Sequence, residues 1–100
     1  MPEPISIIIV EDDEAVREGL RLLINGSEGY HCHAACPSAE EALKVIPDFM
    51  PDVVLMDINL PGMNGIECVI CIKNAWPSIQ VMMLTVFDNT DEIFKSLTAG

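Results

Sequence analysis

The sequence has 100 residues, half of them hydrophobic, with 16 acidic and 5 basic side chains and a formal net charge of −11. Such a chain is long enough for one globular domain with a modest core, and its composition excludes a disordered tail. Direct nucleic-acid binding by this segment is disfavoured, because an acidic surface repels a phosphate backbone. No apolar run approaches the roughly 18 residues of a membrane span, and no basic segment precedes the first apolar run, so we expect no membrane contact and a cytoplasmic location.

Apolar runs and amphipathic segments alternate along the chain. The predicted elements are a strand at 5–10, a helix from Asp13 to Asn25-Gly26, a strand at 30–35, a helix from Ser38 to Pro47, a strand at 53–56, a helix at 65–75, a strand at 79–85 and a helix at 89–99. Asn25-Gly26 is expected to end its helix in a left-handed cap, and Pro47 is expected to close the second helix. Regular alternation with apolar strands predicts an α/β fold, a doubly wound parallel sheet with helices on both faces.

Acidic residues follow two of the predicted strands. The first strand ends in Glu11-Asp12-Asp13, the third in Asp57 and the fourth in Thr85. Parallel strands all point the same way, so these side chains are expected to gather at one edge of the sheet, where such folds bind ligands. Clustered carboxylates need a cation, and oxygen ligands favour Mg²⁺. A carboxylate beside Mg²⁺ is also a candidate nucleophile for phosphoryl transfer, whereas Asp13 is better explained as a helix cap.

Three segments together resemble the receiver domain of bacterial two-component response regulators. They are IIIVEDDEAVR, DVVLMDINLPGMNGIE and VMMLTVFDNTDEIFKSLTAG, and the resemblance covers essentially the whole chain, residues 1–100. The last segment is similar to receivers joined to helix-turn-helix transcription outputs. The resemblance implies the flavodoxin-like strand order 2-1-3-4-5, phosphate transfer from a sensor histidine kinase, and DNA contact only through an output domain outside this segment.

The resemblance also implies roles for individual residues. Asp57 matches the phosphoacceptor, and Thr85 the hydroxyl that moves toward the phosphoryl group. The residues that match the Mg²⁺ site are Glu11, Asp12, Asp57 and Asn59, the last through its backbone carbonyl, and those that match the loop after the phosphoacceptor are Pro61, Gly62 and Gly65. Val86 stands where a smaller residue is common, and we expect it to narrow the route of the water that attacks the phosphoryl group.

The sequence departs from the family pattern at its end. Family domains continue into a fifth strand, which carries a lysine that pairs with the phosphoryl group, and a fifth helix; we expect both to be missing here, so that the receiver is incomplete. Strand 4 would then be an apolar edge, and such edges invite pairing with another chain. We therefore expect self-association through the strand 4 edge or the helix 4 face.

Two other functions remain open at this level. A phosphohydrolase of the haloacid-dehalogenase type also uses an aspartate nucleophile and Mg²⁺, but it needs a second acid two residues later, where this chain has Asn59. The other alternative is a phosphorylation-defective interaction scaffold, which would need neither the aspartate nucleophile nor Mg²⁺. We expect a phosphoacceptor that is not a turnover enzyme, apart from catalysing its own phosphorylation and dephosphorylation. The cysteines of HCHAAC and CVIC are expected to pack as small apolar groups rather than bind zinc.

Overall fold

The computed structural model describes residues 3–84, in which strands and helices alternate. In chain order the elements are β1 (Ile5–Val10), α1 (Glu14–Asn25), β2 (Tyr30–Cys36), α2 (Ala39–Phe49), β3 (Val53–Asp57), α3 (Gly65–Ala75) and β4 (Gln80–Leu84). The predicted helix at 89–99, with Thr85 and Val86, lies outside the described residues. No helix within residues 3–84 is long and apolar enough to span a bilayer.

The described strands form one parallel sheet in the order β2-β1-β3-β4. This confirms the predicted α/β fold and the flavodoxin-like order 2-1-3-4. The chain moves from β1 outward to β2 and then crosses to the opposite side of β1 to form β3. The direction of winding therefore reverses between β1 and β3, and the crevice of such a sheet opens at the carboxyl ends of these two strands.

Two apolar clusters cover the two faces of the sheet because side chains alternate along β1. Ile8 and Val10 belong to the larger cluster, which also contains Ile46 of α2 and Ile72 of α3. Ile7 and Ile9 point to the other face, where the smaller cluster includes Ile24 of α1. Burying one such isoleucine side chain contributes about 1.5–3 kcal/mol. The core thus holds β1 and β3 rigidly and places their carboxyl ends side by side.

The end of α1 differs from the prediction. Gly26 has a right-handed conformation, with φ −82° and ψ −8°, and not the left-handed one that its sequence favours. Ser27 explains the difference: its hydroxyl donates to the Leu23 carbonyl at 2.7 Å, and its backbone N–H donates to the Ile24 carbonyl at 3.1 Å. Because these bonds satisfy the last carbonyl groups, no left-handed residue is required there.

The end of α2 also differs, since the helix continues through Pro47 to Phe49. Proline has a helix-compatible φ, and here its exposed ring lies in the last turn, where few hydrogen bonds remain to be lost. The helix ends instead at Met50, which adopts the left-handed conformation with φ 42° and donates its N–H to the Ile46 carbonyl at 2.7 Å. The left-handed cap therefore exists in this chain, but on a methionine of the second helix.

Candidate functional site

Three acids meet where β1 and β3 end. Val10 pairs with Met56 in the sheet, so the next residues along the two strands, Glu11 and Asp57, are neighbours as well. Asp12 follows Glu11 in the turn that leads into α1. One carboxylate oxygen from each of these three acids lies within 4.8 Å of the others. The structure thus brings together the acids that the sequence analysis expected at this edge.

Two of the three carboxyl groups are buried. Glu11 is 2% exposed and Asp57 is 4% exposed, while Asp12 is open to solvent. Within residues 3–84, Oε2 of Glu11 has no hydrogen-bond partner. Burial, followed by the neighbouring carboxyl group of Asp57 and its charge, raises the pKa of Glu11 to about 7. The site therefore favours either a proton on Glu11 or a cation between the acids.

The donor set fits a hard divalent cation. All the ligand atoms are carboxylate oxygens, which suit Mg²⁺ better than the softer transition metals. Oε2 of Glu11 accepts no hydrogen bond from any group in the described part of the chain, so this oxygen is available to bind a cation. Asp12 keeps the site open to water, and Mg²⁺ normally retains several water ligands.

Asp57 is held by the turn that follows it. The backbone N–H of Asn59 donates to Oδ1 of Asp57 at 3.1 Å, which orients the carboxylate and leaves its second oxygen available. The N–H of Gly65 donates to the Ile58 carbonyl at 3.1 Å and closes the loop. A Cβ at Gly65 would meet the Asp57 carbonyl oxygen and lie 2.9 Å from Cα of Ile58. Only glycine therefore allows α3 to begin so close to the end of β3.

Pro61 and Gly62 form the outer part of this loop. Gly62 has a φ of +73°, which glycine adopts without strain. Proline followed by a glycine of positive φ is typical of a type II turn. A Cβ at Gly62 would also lie 2.7 Å from Oε2 of Glu40 on α2. The loop thus depends on glycine for its conformation, whereas the flexible Glu40 side chain could move away from an added Cβ.

Asp13 caps α1, as the sequence analysis expected. Its side chain accepts a hydrogen bond from the N–H of Val16 at 3.0 Å. Sequence reasoning missed Arg17, whose Nη1 donates to the backbone carbonyls of Glu11 at 3.0 Å and Asp12 at 3.3 Å. One signal was available: Arg17 lies four residues after the cap, so it returns to the same side of the helix.

The side chains of the cysteine and histidine motifs do not belong to this acidic cluster. Burial raises the pKa of the Cys36 and Cys68 thiols to about 11, so that both remain protonated at neutral pH. His31 and His33 are exposed neighbours on β2, with their ring centroids 4.6 Å apart. Within residues 3–84, no cluster of three or more potential metal-binding side chains other than Glu11, Asp12 and Asp57 is found.

The fold and the site together define a class of parallel α/β proteins. In this class, carboxylates cluster where the strand order reverses and form an acidic pocket that suits Mg²⁺. The family model of the response regulator receiver domain matches residues 7–100. The chain therefore belongs to the response regulator receiver family of two-component systems.

Known relatives agree with this assignment. The chain is 38% identical over 96 residues to the transcriptional regulatory protein LnrK of Bacillus subtilis, covering 96% of this chain and 44% of the relative. It is 39% identical over 102 residues to protein-glutamate methylesterase/protein-glutamine glutaminase 2 of Paramagnetospirillum magneticum, covering 100% of this chain but 29% of that enzyme. The chain thus spans less than half the length of these curated relatives.

Solved structures give the same result. A LuxR-family two-component response regulator from Aurantimonas sp. SI85-9A1 superposes with a TM-score of 0.79 at 33% identity, over 98% of this chain and 70% of that one. A LuxR-family DNA-binding response regulator from Staphylococcus aureus superposes with a TM-score of 0.76 at 30% identity, over 93% of this chain and 78% of that one.

Proposed function

We propose that residues 1–100 act as one receiver unit of a phosphorelay, in which Asp57 accepts a phosphoryl group from a sensor histidine kinase. The observation that carries this proposal is the position of Asp57, a buried acid at the end of β3 whose carboxylate lies within 4.8 Å of two others. Its second oxygen is the nucleophile, since the Asn59 N–H already occupies Oδ1. The new bond joins this oxygen to phosphorus, while the phosphorus–nitrogen bond breaks and its electron pair returns to the imidazole.

Mg²⁺ is the proposed cofactor of this transfer. The carboxylates of Glu11, Asp12 and Asp57 and the backbone carbonyl of Asn59 would hold it. When bound, Mg²⁺ neutralises negative charge on the acids and on the incoming phosphoryl group. The unpartnered Glu11 oxygen supports this role, because a buried carboxylate without a partner is costly in the absence of a proton or a cation.

The remaining predicted residues have supporting roles in this proposal. Pro61, Gly62 and Gly65 shape the loop after Asp57, which presents the acid to its donor. Thr85 would bind the phosphoryl group and pass the change to the output, while Val86 would restrict water. Both residues lie outside the described part of the chain, so their roles rest on the sequence.

Several partners follow from the proposal. The phosphodonor is a sensor histidine kinase, and the output is transcription regulation through a DNA-binding domain outside this segment, in the cytoplasm. Self-association would use β4, where Met82 and Met83 are exposed, or the helix 4 face, which the structure does not describe. The protein would not be a turnover enzyme, although one relative carries the name of a methylesterase.

Labelling with a small-molecule phosphodonor such as acetyl phosphate tests the proposal. The wild-type protein with Mg²⁺ should gain one lasting acid-stable, base-labile phosphoryl group, and Asp57→Asn should gain none. Asp48→Asn is the matched control, because Asp48 is an exposed acid on α2. Rapid release of phosphate would favour the phosphohydrolase alternative, and absence of any label on the wild type would favour the scaffold.

A further inference from the structure

Arg17 is bonded to the backbone of the two acids that follow β1. Its Nη1 donates to the carbonyl of Glu11 at 3.0 Å and to that of Asp12 at 3.3 Å. The side chain is half-buried against the β1–α1 turn, residues 11–13. Among the hydrogen bonds within residues 3–84, these are the only ones from a basic side chain to that turn. The contact therefore links α1 directly to the acidic site.

The choice of acceptor is informative. A guanidinium beside acids commonly binds a carboxylate, as Arg21 does with Glu18 at 2.9 Å on the same helix. Arg17 instead gives its bonds to two peptide carbonyls and leaves the carboxylate oxygens of Glu11 and Asp12 free. An arginine bonded in this way restrains the backbone of both acids without occupying the atoms that would bind a cation.

We propose that Arg17 is a positioning residue that holds the β1–α1 turn in the conformation in which Glu11 and Asp12 can share a divalent cation with Asp57. The inference rests on the proposed function, since the cation is the Mg²⁺ of the phosphoacceptor site. The turn has further restraints: the N–H of Glu11 donates to the Cys36 carbonyl at 3.0 Å, and Asp13 caps α1. Arg17 adds the restraint on the Asp12 carbonyl, between these two points.

Arg17 influences cation binding in two opposite ways. Its positive charge repels a divalent cation, an effect that salt screens over about 8 Å at physiological ionic strength. Its charge-assisted hydrogen bonds order the turn before the cation arrives, which lowers the entropic cost of binding. At physiological salt the ordering outweighs the screened repulsion. Loss of Arg17 therefore weakens cation binding, whereas loss of its charge alone would strengthen it.

Calorimetric titration with MgCl₂ alone distinguishes the two effects. Arg17→Gln should weaken Mg²⁺ binding by roughly three- to tenfold, because the roughly ten- to hundredfold effect of losing charge-assisted hydrogen bonds is partly offset by the lost charge repulsion. Arg17→Lys should recover part of the affinity, because one ammonium nitrogen can still reach a carbonyl. Arg21→Gln, which removes the same charge one turn farther along α1, should bind Mg²⁺ as the wild type does.

Amide hydrogen exchange in the metal-free protein supplies a second readout. Arg17→Gln should accelerate exchange at Glu11 and Asp13, whose N–H groups donate to the Cys36 carbonyl at 3.0 Å and to Oε1 of Glu11 at 3.4 Å. The amides of buried Ile8 and Ile72 should keep their protection and show that the variant is folded. Arg21→Gln should leave exchange in the turn unchanged.

The outcomes separate the two proposals. Mg²⁺ binding by Arg17→Gln that equals or exceeds wild-type affinity, with unchanged exchange in the turn, would overturn the positioning role. A wild-type protein that binds no Mg²⁺ would overturn the proposed function, and the exchange at Glu11 and Asp13 would then still decide whether Arg17 orders the turn.

Discussion

The carboxyl group of Glu11 faces that of Asp57 across the ends of β1 and β3, and both side chains are almost fully buried. Burial first, and then the neighbouring carboxyl group of Asp57 and its charge, raises the pKa of Glu11 to about 7. Two buried acids this close together are stable only when a proton or a cation reduces their repulsion. Protonation and metal binding therefore compete for the same pair of side chains.

The metal-free protein should lose stability as the pH rises from about 5 to about 8. Glu11 has a pKa near 4.5 when unfolded and about 7 when folded, so the folded state binds this proton more tightly. The resulting stabilisation is complete below the unfolded pKa and lost as the pH rises through the folded pKa, and it amounts to about 3 kcal/mol. Urea unfolding in the presence of a chelator measures it. Glu11→Gln should flatten the dependence, and a variant with the same pH slope as wild type would contradict this assignment.

Mg²⁺ should stabilise the folded protein by binding between the acids. At a concentration of about 100 times Kd the free energy of unfolding should rise by about 2.7 kcal/mol, which thermal unfolding detects as an increase in Tm. Asp57→Asn should be more stable than wild type without metal, because it relieves the repulsion with Glu11, yet respond less to Mg²⁺. Asp48→Asn should respond as wild type. An equal Mg²⁺ response in Asp57→Asn would show that the cation binds elsewhere.

Gly65→Ala should destabilise the protein although the position is helical. The new methyl group would collide with the backbone of Asp57 and Ile58, and overpacking of this kind costs about 1–3 kcal/mol. Gly19→Ala is the matched control, because Gly19 lies within α1 and a Cβ there meets nothing within 4 Å. That change should stabilise the helix by up to about 1 kcal/mol. Chemical denaturation should thus give opposite signs for the two substitutions, and the same sign would refute the close packing of α3 against β3.

Met82→Lys should reduce self-association if β4 is the contact surface. Met82 lies on the last strand in the order of the described sheet and is 58% exposed. Ile66 on α3 is exposed to the same extent, 58%, so Ile66→Lys introduces an equal charge on a different apolar surface. Light scattering over a range of concentrations should show a lower mass for Met82→Lys alone. A wild-type protein that stays monomeric throughout would exclude the interface.

Much of the fold could be predicted because it depends on local patterns. The residues of β1 alternate between two apolar clusters, as expected for a strand with helices on both faces. The predicted helix at 65–75 agrees with α3, which Asn64 caps by accepting from the N–H of Glu67 at 2.9 Å. Local rules were wrong at Gly26 and Pro47, where hydrogen bonds from Ser27 and Met50 determine the helix ends.

The sequence by itself determined that acids would follow the first and third strands, and parallel pairing was enough to predict that Glu11, Asp12 and Asp57 would share one edge. Only the tertiary structure decided that Glu11 is buried with an unpartnered oxygen, that its pKa is raised, and that Arg17 bonds to the backbone of the turn. Desolvation and charge interactions depend on distances in space between segments far apart in the chain, and no pattern of neighbouring residues contains those distances.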